Sequence, residues 1–159
     1  MSNRPFNLNY SHSGVCVADM DRAKAFYMNG LGFKEAAAFN VGNECQQLLG
    51  LDSDIDMLTQ MMVLDHFVVE LIKFETPSPV PAGGLNPMNR TGLTHLSFTV
   101  EDVDAAAVHL EACGAHILHE TRTTIPLPNG ESTELVFCTD PDGTRIEIYQ
   151  PPASMKMTG

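Results

Sequence analysis

Four side chains combine metal-competent chemistry with apolar surroundings. His12, Glu70, His95 and Glu147 lie in runs that otherwise read as strands with a buried face. Glu70 is flanked by Val68, Val69, Leu71 and Ile72, and Glu147 lies between Ile146 and Ile148. An ionised carboxylate buried without a partner is very costly, so such a group is paired, protonated or bound to metal. On a sheet with one wet face it can instead point to solvent, and taken singly each of the four reads more simply as a surface or locally satisfied residue. As a set they read differently. Two imidazoles and two carboxylates make a donor set for one divalent ion (Zn, Ni, Co, Mn or Fe(II)) rather than a thiophilic metal, and the carboxylates neutralise its charge.

The set is repeated. HSGVCVADMDRA from His12 aligns without a gap on HLSFTVEDVDAA from His95, so that Val17 matches Val100, Asp19 matches Asp102 and Ala23 matches Ala106. Each segment reads as a strand with a histidine near its start, an acidic turn and a helix. Asp19 and Asp102 are suitable N-caps before runs with helical spacing. The runs end at Gly30 and Gly32 or at Gly114, where a helix can close in the left-handed conformation. HFVVELIK and GTRIEIYQ, each β-rich with a central glutamate, place Glu70 on Glu147.

Elements that could carry these residues follow from the remaining runs. FKEAAAF and NECQQLLGL are expected as strands in the first half, AHILHETRT and TELVFCT in the second. Each half is then β-α-β-β-β, and the chain is α+β. The expected boundaries are a first module over 1–75, a linker over 76–90, a second module over 91–150 and a tail over 151–159. The linker TPSPVPAGGLNPMNR is too rich in proline and glycine to continue a strand or helix and should run over the surface. The Asn-Gly of IPLPNGES signals a turn, either a surface hairpin or a loop over a pocket mouth. If the halves pack with pseudo-twofold symmetry, the two histidines and two glutamates converge.

Composition narrows the partners. With 159 residues, 43% apolar and 18% charged, the chain can bury a core. A net charge of -11 makes nucleic acid and anionic membranes poor partners. No apolar run reaches the length of a membrane span and no signal peptide is evident, so a cytoplasmic location is expected. None of Cys16, Cys45, Cys113 and Cys138 forms a C-x-x-C pair. Cys16 and Cys138, in strand-like runs, are expected as buried, small apolar residues. His66, His109, His116 and His119 show no second metal pattern.

HSGVCVADMDRAKAFYMNGLGF, FVVELIKF, THLSFTVEDVD and FCTDPDGTRIEIYQ together resemble the vicinal oxygen chelate superfamily, which includes glyoxalase I, methylmalonyl-CoA epimerase, extradiol dioxygenases and fosfomycin or bleomycin resistance proteins. The resemblance runs from about Asn9 to Gln150 and is most specific in DPDG followed by an apolar-Glu-apolar strand. It implies two pseudosymmetric βαβββ modules whose curved sheets form a cup around a metal held by His12, Glu70, His95 and Glu147. It further implies a small-molecule substrate that chelates the metal through vicinal oxygens, and a homodimer. Glutamate at the second ligand position resembles glyoxalase I and the epimerases. That implies a lyase or isomerase that stabilises an enolate or enediolate during proton transfer, with Glu70 and Glu147 as candidate bases. The alternatives are an extradiol-type dioxygenase and a non-catalytic binding or resistance protein. The chain departs from glyoxalase I after LGF, where KEAAAF offers no arginine to grip glutathione.

Overall fold

The computed structural model describes residues 6–155. Each half of the chain forms one four-stranded sheet. The first contains β1 (Ser13–Cys16), β2 (Lys34–Val41), β3 (Asp56–Leu64) and β4 (Phe67–Thr76), in the order β1-β4-β3-β2. The second contains β5 (Leu96–Thr99), β6 (His116–Pro126), β7 (Ser132–Thr139) and β8 (Arg145–Gln150), in the order β5-β8-β7-β6. In both, the first strand lies parallel to the last and the other neighbours are antiparallel. Parallel neighbours need a long crossover, and here it contains α1 (Met20–Ala25) with a π-helical turn (Phe26–Gly30), or α3 (Val103–Ala112). This topology sets the histidine end of the first strand beside the glutamate of the last.

The helix starts follow their caps. Asp19 accepts from the Arg22 amide, and Asp102 accepts from the Asp104 and Ala105 amides. Gly32 and Gly114 take positive φ just beyond the helical segments. The outer strands β2 and β6 each carry a register shift, between Glu35 and Ala38 and between Leu118 and Thr123. Backbone groups freed there find side chains: Gln60 donates to the Ala36 and Ala37 carbonyls, and Thr121 donates to Leu118 and accepts from the Phe137 amide. Such bulges bend the outer strand and increase local twist.

One core spans both halves. Val69 and Leu71 on β4 and Ile146 and Ile148 on β8 are buried in the same cluster as Phe26, Tyr27, Val103 and Leu110. Phe98 meets Phe33 and Phe67 with ring centroids 6.0 Å apart, and the Tyr27 hydroxyl donates across the halves to the buried Asp140 carboxylate at 3.2 Å. Arg22 pairs with Asp142 at 2.5 Å. Alternation along each strand therefore turns Glu70 and Glu147 to the faces opposite this core. No helix among the described residues is long and apolar enough to cross a membrane.

Two expectations need correction. NECQQLLGL is not a strand: Asn43–Cys45 is a 3₁₀ turn and Gln46–Leu49 a short helix, α2, closed by Gly50 at φ 65°. Its leucines do not alternate with polar residues, and the Asn43 side chain accepts from the Ile55 amide to fold the segment back. The strand is instead β3, the methionine-rich run that follows. Cys16 is exposed rather than buried, because β1 turns Val15 and Val17 to the core and Cys16 to the other face; Cys138 is fully buried. Thr76, the first residue of the expected linker, ends β4, and residues 77–90 contain no helix or strand; residues 127–131 of IPLPNGES form the β6–β7 hairpin turn, with Gly130 at φ 85°.

Candidate functional site

The four candidate residues form two pairs, one on each sheet. Parallel pairing sets Gly14 beside Glu70 and Ser97 beside Glu147, with the histidine two residues before each. His12 Nε2 lies 3.2 Å from Glu70 Oε2, and His95 Nε2 lies 3.8 Å from Glu147 Oε2. Two atoms that each ligate one first-row ion at about 2.1 Å stand roughly 3–3.5 Å apart. The first pair falls within that spacing, and the second is a few tenths of an ångström wider. Within one chain the pairs do not meet: among the described residues, no three His, Cys, Asp or Glu side chains gather closely enough to hold a metal ion. Convergence of the four inside one chain is thus absent, because both sheets turn their other faces to the common core.

Both histidines are oriented in the same way. Ser11 Oγ lies 2.9 Å from His12 Nδ1, and Thr94 Oγ1 lies 2.9 Å from His95 Nδ1. A hydroxyl that accepts the Nδ1 proton leaves the Nε2 lone pair free toward the glutamate, the arrangement found behind metal-bound imidazoles. These hydroxyls are partners of the candidate histidines that the sequence comparison missed. Extending the repeat by one residue would have found them, since Ser-His and Thr-His begin the two copies.

The pairs differ in one respect. Ser97 donates to Glu147 Oε2 at 2.6 Å, whereas the matching position in the first half is Gly14, which has no donor side chain. Glu147 therefore accepts a hydroxyl hydrogen bond that Glu70 lacks. The His95 ring also rests edge-on against Phe137, with centroids 5.3 Å apart. All four side chains are partly exposed, between 20 and 36%, so solvent and ligands can reach them.

A cleft of about 550 Å³ opens beside the second pair, between β1, residues 82–94 (the end of the linker and the approach to β5) and the start of β8; His95 and Arg145 line it. Cys16 also lines it. Although Cys16 is exposed as a residue, partial desolvation of its thiol, and then the charge of Asp142, push the thiol above its ordinary value. His109, by contrast, packs its Nε2 against the Asn29 carbonyl at 2.8 Å and helps join the halves.

Comparison with known proteins places this geometry among relatives. Residues 9–148 match the family model of the Glyoxalase/Bleomycin resistance protein/Dioxygenase superfamily. The Escherichia coli (strain K12) protein YaeR is 29% identical over 140 residues, covering 87% of this chain and 93% of YaeR. A glyoxalase family protein from Bacillus cereus superimposes with a TM-score of 0.77 at 24% identity, covering 94% of this chain and 98% of that one. Glyoxalase I from Zea mays superimposes with a TM-score of 0.61 at 24% identity, over 88% of this chain and 43% of the maize enzyme.

Proposed function

Because the chain belongs to the Glyoxalase/Bleomycin resistance protein/Dioxygenase superfamily, we propose that it is a divalent-metal-dependent lyase or isomerase, working as a homodimer on a small substrate with vicinal oxygens. The observation that carries the reading is the second carboxylate. Each half presents a histidine with its Nδ1 engaged by a hydroxyl and a glutamate 3.2 or 3.8 Å from its Nε2. A two-histidine, one-carboxylate site of the dioxygenase type would leave Glu70 without a role.

His12, Glu70, His95 and Glu147 would hold one ion. When bound, it supplies Lewis-acid stabilisation of the negative charge left on the substrate as a carbon-bound proton departs. Each chain carries both pairs on faces turned from its core, so a two-fold axis can set the first pair of one copy against the second pair of the other. Two equivalent sites then form per dimer. Within a site, Ser97 fixes Glu147 in place. Glu70 lacks such a hydroxyl and is the freer carboxylate to take the proton and return it to the neighbouring carbon.

The test is Glu70→Gln. It keeps an oxygen donor and removes most of the basicity, so metal content should stay near one ion per chain while turnover falls by about two to four orders of magnitude. Substrates are first found by solvent deuterium exchange into α-hydroxycarbonyl compounds and acyl thioesters. Oxygen consumption on a catechol, with Glu70→Gln still active, would overturn the reading in favour of a dioxygenase. Near-zero metal that Ni, Co, Zn, Mn and Fe(II) all fail to restore would overturn the metal centre itself. A monomer by light scattering, with metal still bound, would remove the two-chain arrangement.

A further inference from the structure

The cleft beside His95 has a charge pattern at odds with the rest of the molecule. The chain carries 20 aspartates and glutamates against nine lysines and arginines, yet no described residue lining the cleft is acidic. Two arginines line it, Arg90 and Arg145. Arg22, Lys24, Lys73 and Arg122 all pair with carboxylates. Among the described residues, Arg90 and Arg145 have no carboxylate within 4 Å. In so acidic a chain, two arginines without a carboxylate partner that face one cavity are available to a bound anion.

Arg145 is held by groups that position it without cancelling its charge. Its Nη2 donates to the Asn86 carbonyl at 2.7 Å and its Nη1 to the Met88 sulfur at 2.9 Å. Its guanidinium lies 5.8 Å from the centroid of the Phe137 ring. Arg90 donates to the Asn86 side chain, so Asn86 steadies both cations. The remaining Arg145 N–H groups meet no protein acceptor among the described residues. A planar guanidinium fixed in this way suits two-point recognition of a planar or tetrahedral oxyanion. Arg145 and Glu147 are alternate residues of β8, on one face and about 7 Å apart along the strand.

We propose that this cleft is an oxyanion subsite in which Arg145, assisted by Arg90, holds a carboxylate or phosphate-class group. Its assignment to the substrate, as a charged group one strand-repeat away from the reacting oxygens, rests on the reading of the His–Glu pairs given above. The site itself does not require bound metal.

The experiment titrates metal-free full-length protein with inorganic phosphate and, in a separate arm, with acetate, at constant ionic strength, by calorimetry. Saturable binding is expected in at least one arm, and the tighter arm identifies the anion class. Loss of a charge-assisted hydrogen-bond donor weakens binding about 10–100-fold, so Arg145→Gln should raise the Kd by at least about tenfold. Arg90→Gln should raise it less, and Arg145→Lys should recover part of the loss and guards against misfolding in the Gln variant. Lys34, another cation without a carboxylate within 4 Å, is not part of the cleft, and Lys34→Gln should leave the Kd unchanged. No saturable binding in either arm, or equal weakening by Lys34→Gln and Arg145→Gln, overturns the subsite. Metal analysis of the same samples reports separately on the His–Glu reading. Arginine-dependent anion binding in a protein that takes up no divalent ion sustains the subsite and sinks that reading. Metal uptake without anion binding does the reverse.

Discussion

Replacing Asp140 should separate the value of its hydrogen bonds from the cost of its charge. Asp140 is 2% exposed. One carboxylate oxygen accepts from the Asp142 and Thr144 amides at 2.9 and 2.8 Å, and the other accepts from the Tyr27 hydroxyl of the opposite half. Asp140→Ala leaves two amides and a buried hydroxyl without acceptors. At about 1–3 kcal/mol for each group left unsatisfied, with water recovering part, the loss is roughly 2–5 kcal/mol, a large share of the ~5–15 kcal/mol typical of a domain. Asp140→Asn should cost under about 1 kcal/mol, because its oxygen can serve both amides and its NH₂ can donate to the Tyr27 oxygen. Burial is the largest influence on Asp140 and raises its pKa above the ordinary aspartate value, outweighing the hydrogen bonds that lower it. Between the unfolded and the raised folded pKa, the folded state therefore keeps a proton that the unfolded state has lost. Stability should decline as pH rises through that window and level off above it. The Asn variant should lack this decline. Urea unfolding at fixed protein concentration, from pH 4 to pH 8, measures all three proteins. An Ala variant as stable as the parent would refute the bridge between halves. An Asn variant as unstable as Ala would show that the charge, not the acceptor geometry, holds the turn.

Other expectations follow from single contacts. A Cβ on Gly30 would sit 3.3 Å from both Cys113 Cβ and Leu110 Cδ2, so Gly30→Ala should destabilise by about 1–2 kcal/mol, read as a lower urea midpoint; a gain would show that α3 yields freely. Ser11→Ala and Thr94→Ala each release a histidine Nδ1, and each should weaken metal binding about 10–100-fold in chelator competition, with little change in unfolding midpoint. Unchanged metal affinity in both would mean that the hydroxyls do not orient the imidazoles.

Much of this architecture was legible because the chain states it twice. The fixed offset between His12 and His95 identified the first strands, the Asp19 and Asp102 caps located the helices, and the central glutamates of β4 and β8 marked the last strands. Short runs were harder: NECQQLLGL is short enough to read as a strand or as a helical turn, and the Asn43 contact to the Ile55 amide and the left-handed Gly50 go with the helical form. How the halves face each other was not legible, since alternation assigns residues to a face but not a face to a neighbour. Tyr27–Asp140, Arg22–Asp142 and the contacts of Phe33 and Phe67 with Phe98 join residues 31 to 120 positions apart and set that arrangement. The arginine cleft depends on the linker folding back over β8, and proline and glycine content says only that such a segment is irregular.

The separation of the two His–Glu pairs has a genetic consequence under the two-chain arrangement. A chain damaged at Glu70 spoils every site in its own homodimer, and so does a chain damaged at Glu147. In a mixed dimer the two lesions fall together in one site and leave the other with all four native ligands. Two alleles that are each null alone should therefore complement within one cell, restoring roughly a quarter of the sites when subunits pair at random, whereas two lesions in the same half should not. The duplicated sheet would make each half a unit of inheritance that another copy of the gene can rescue.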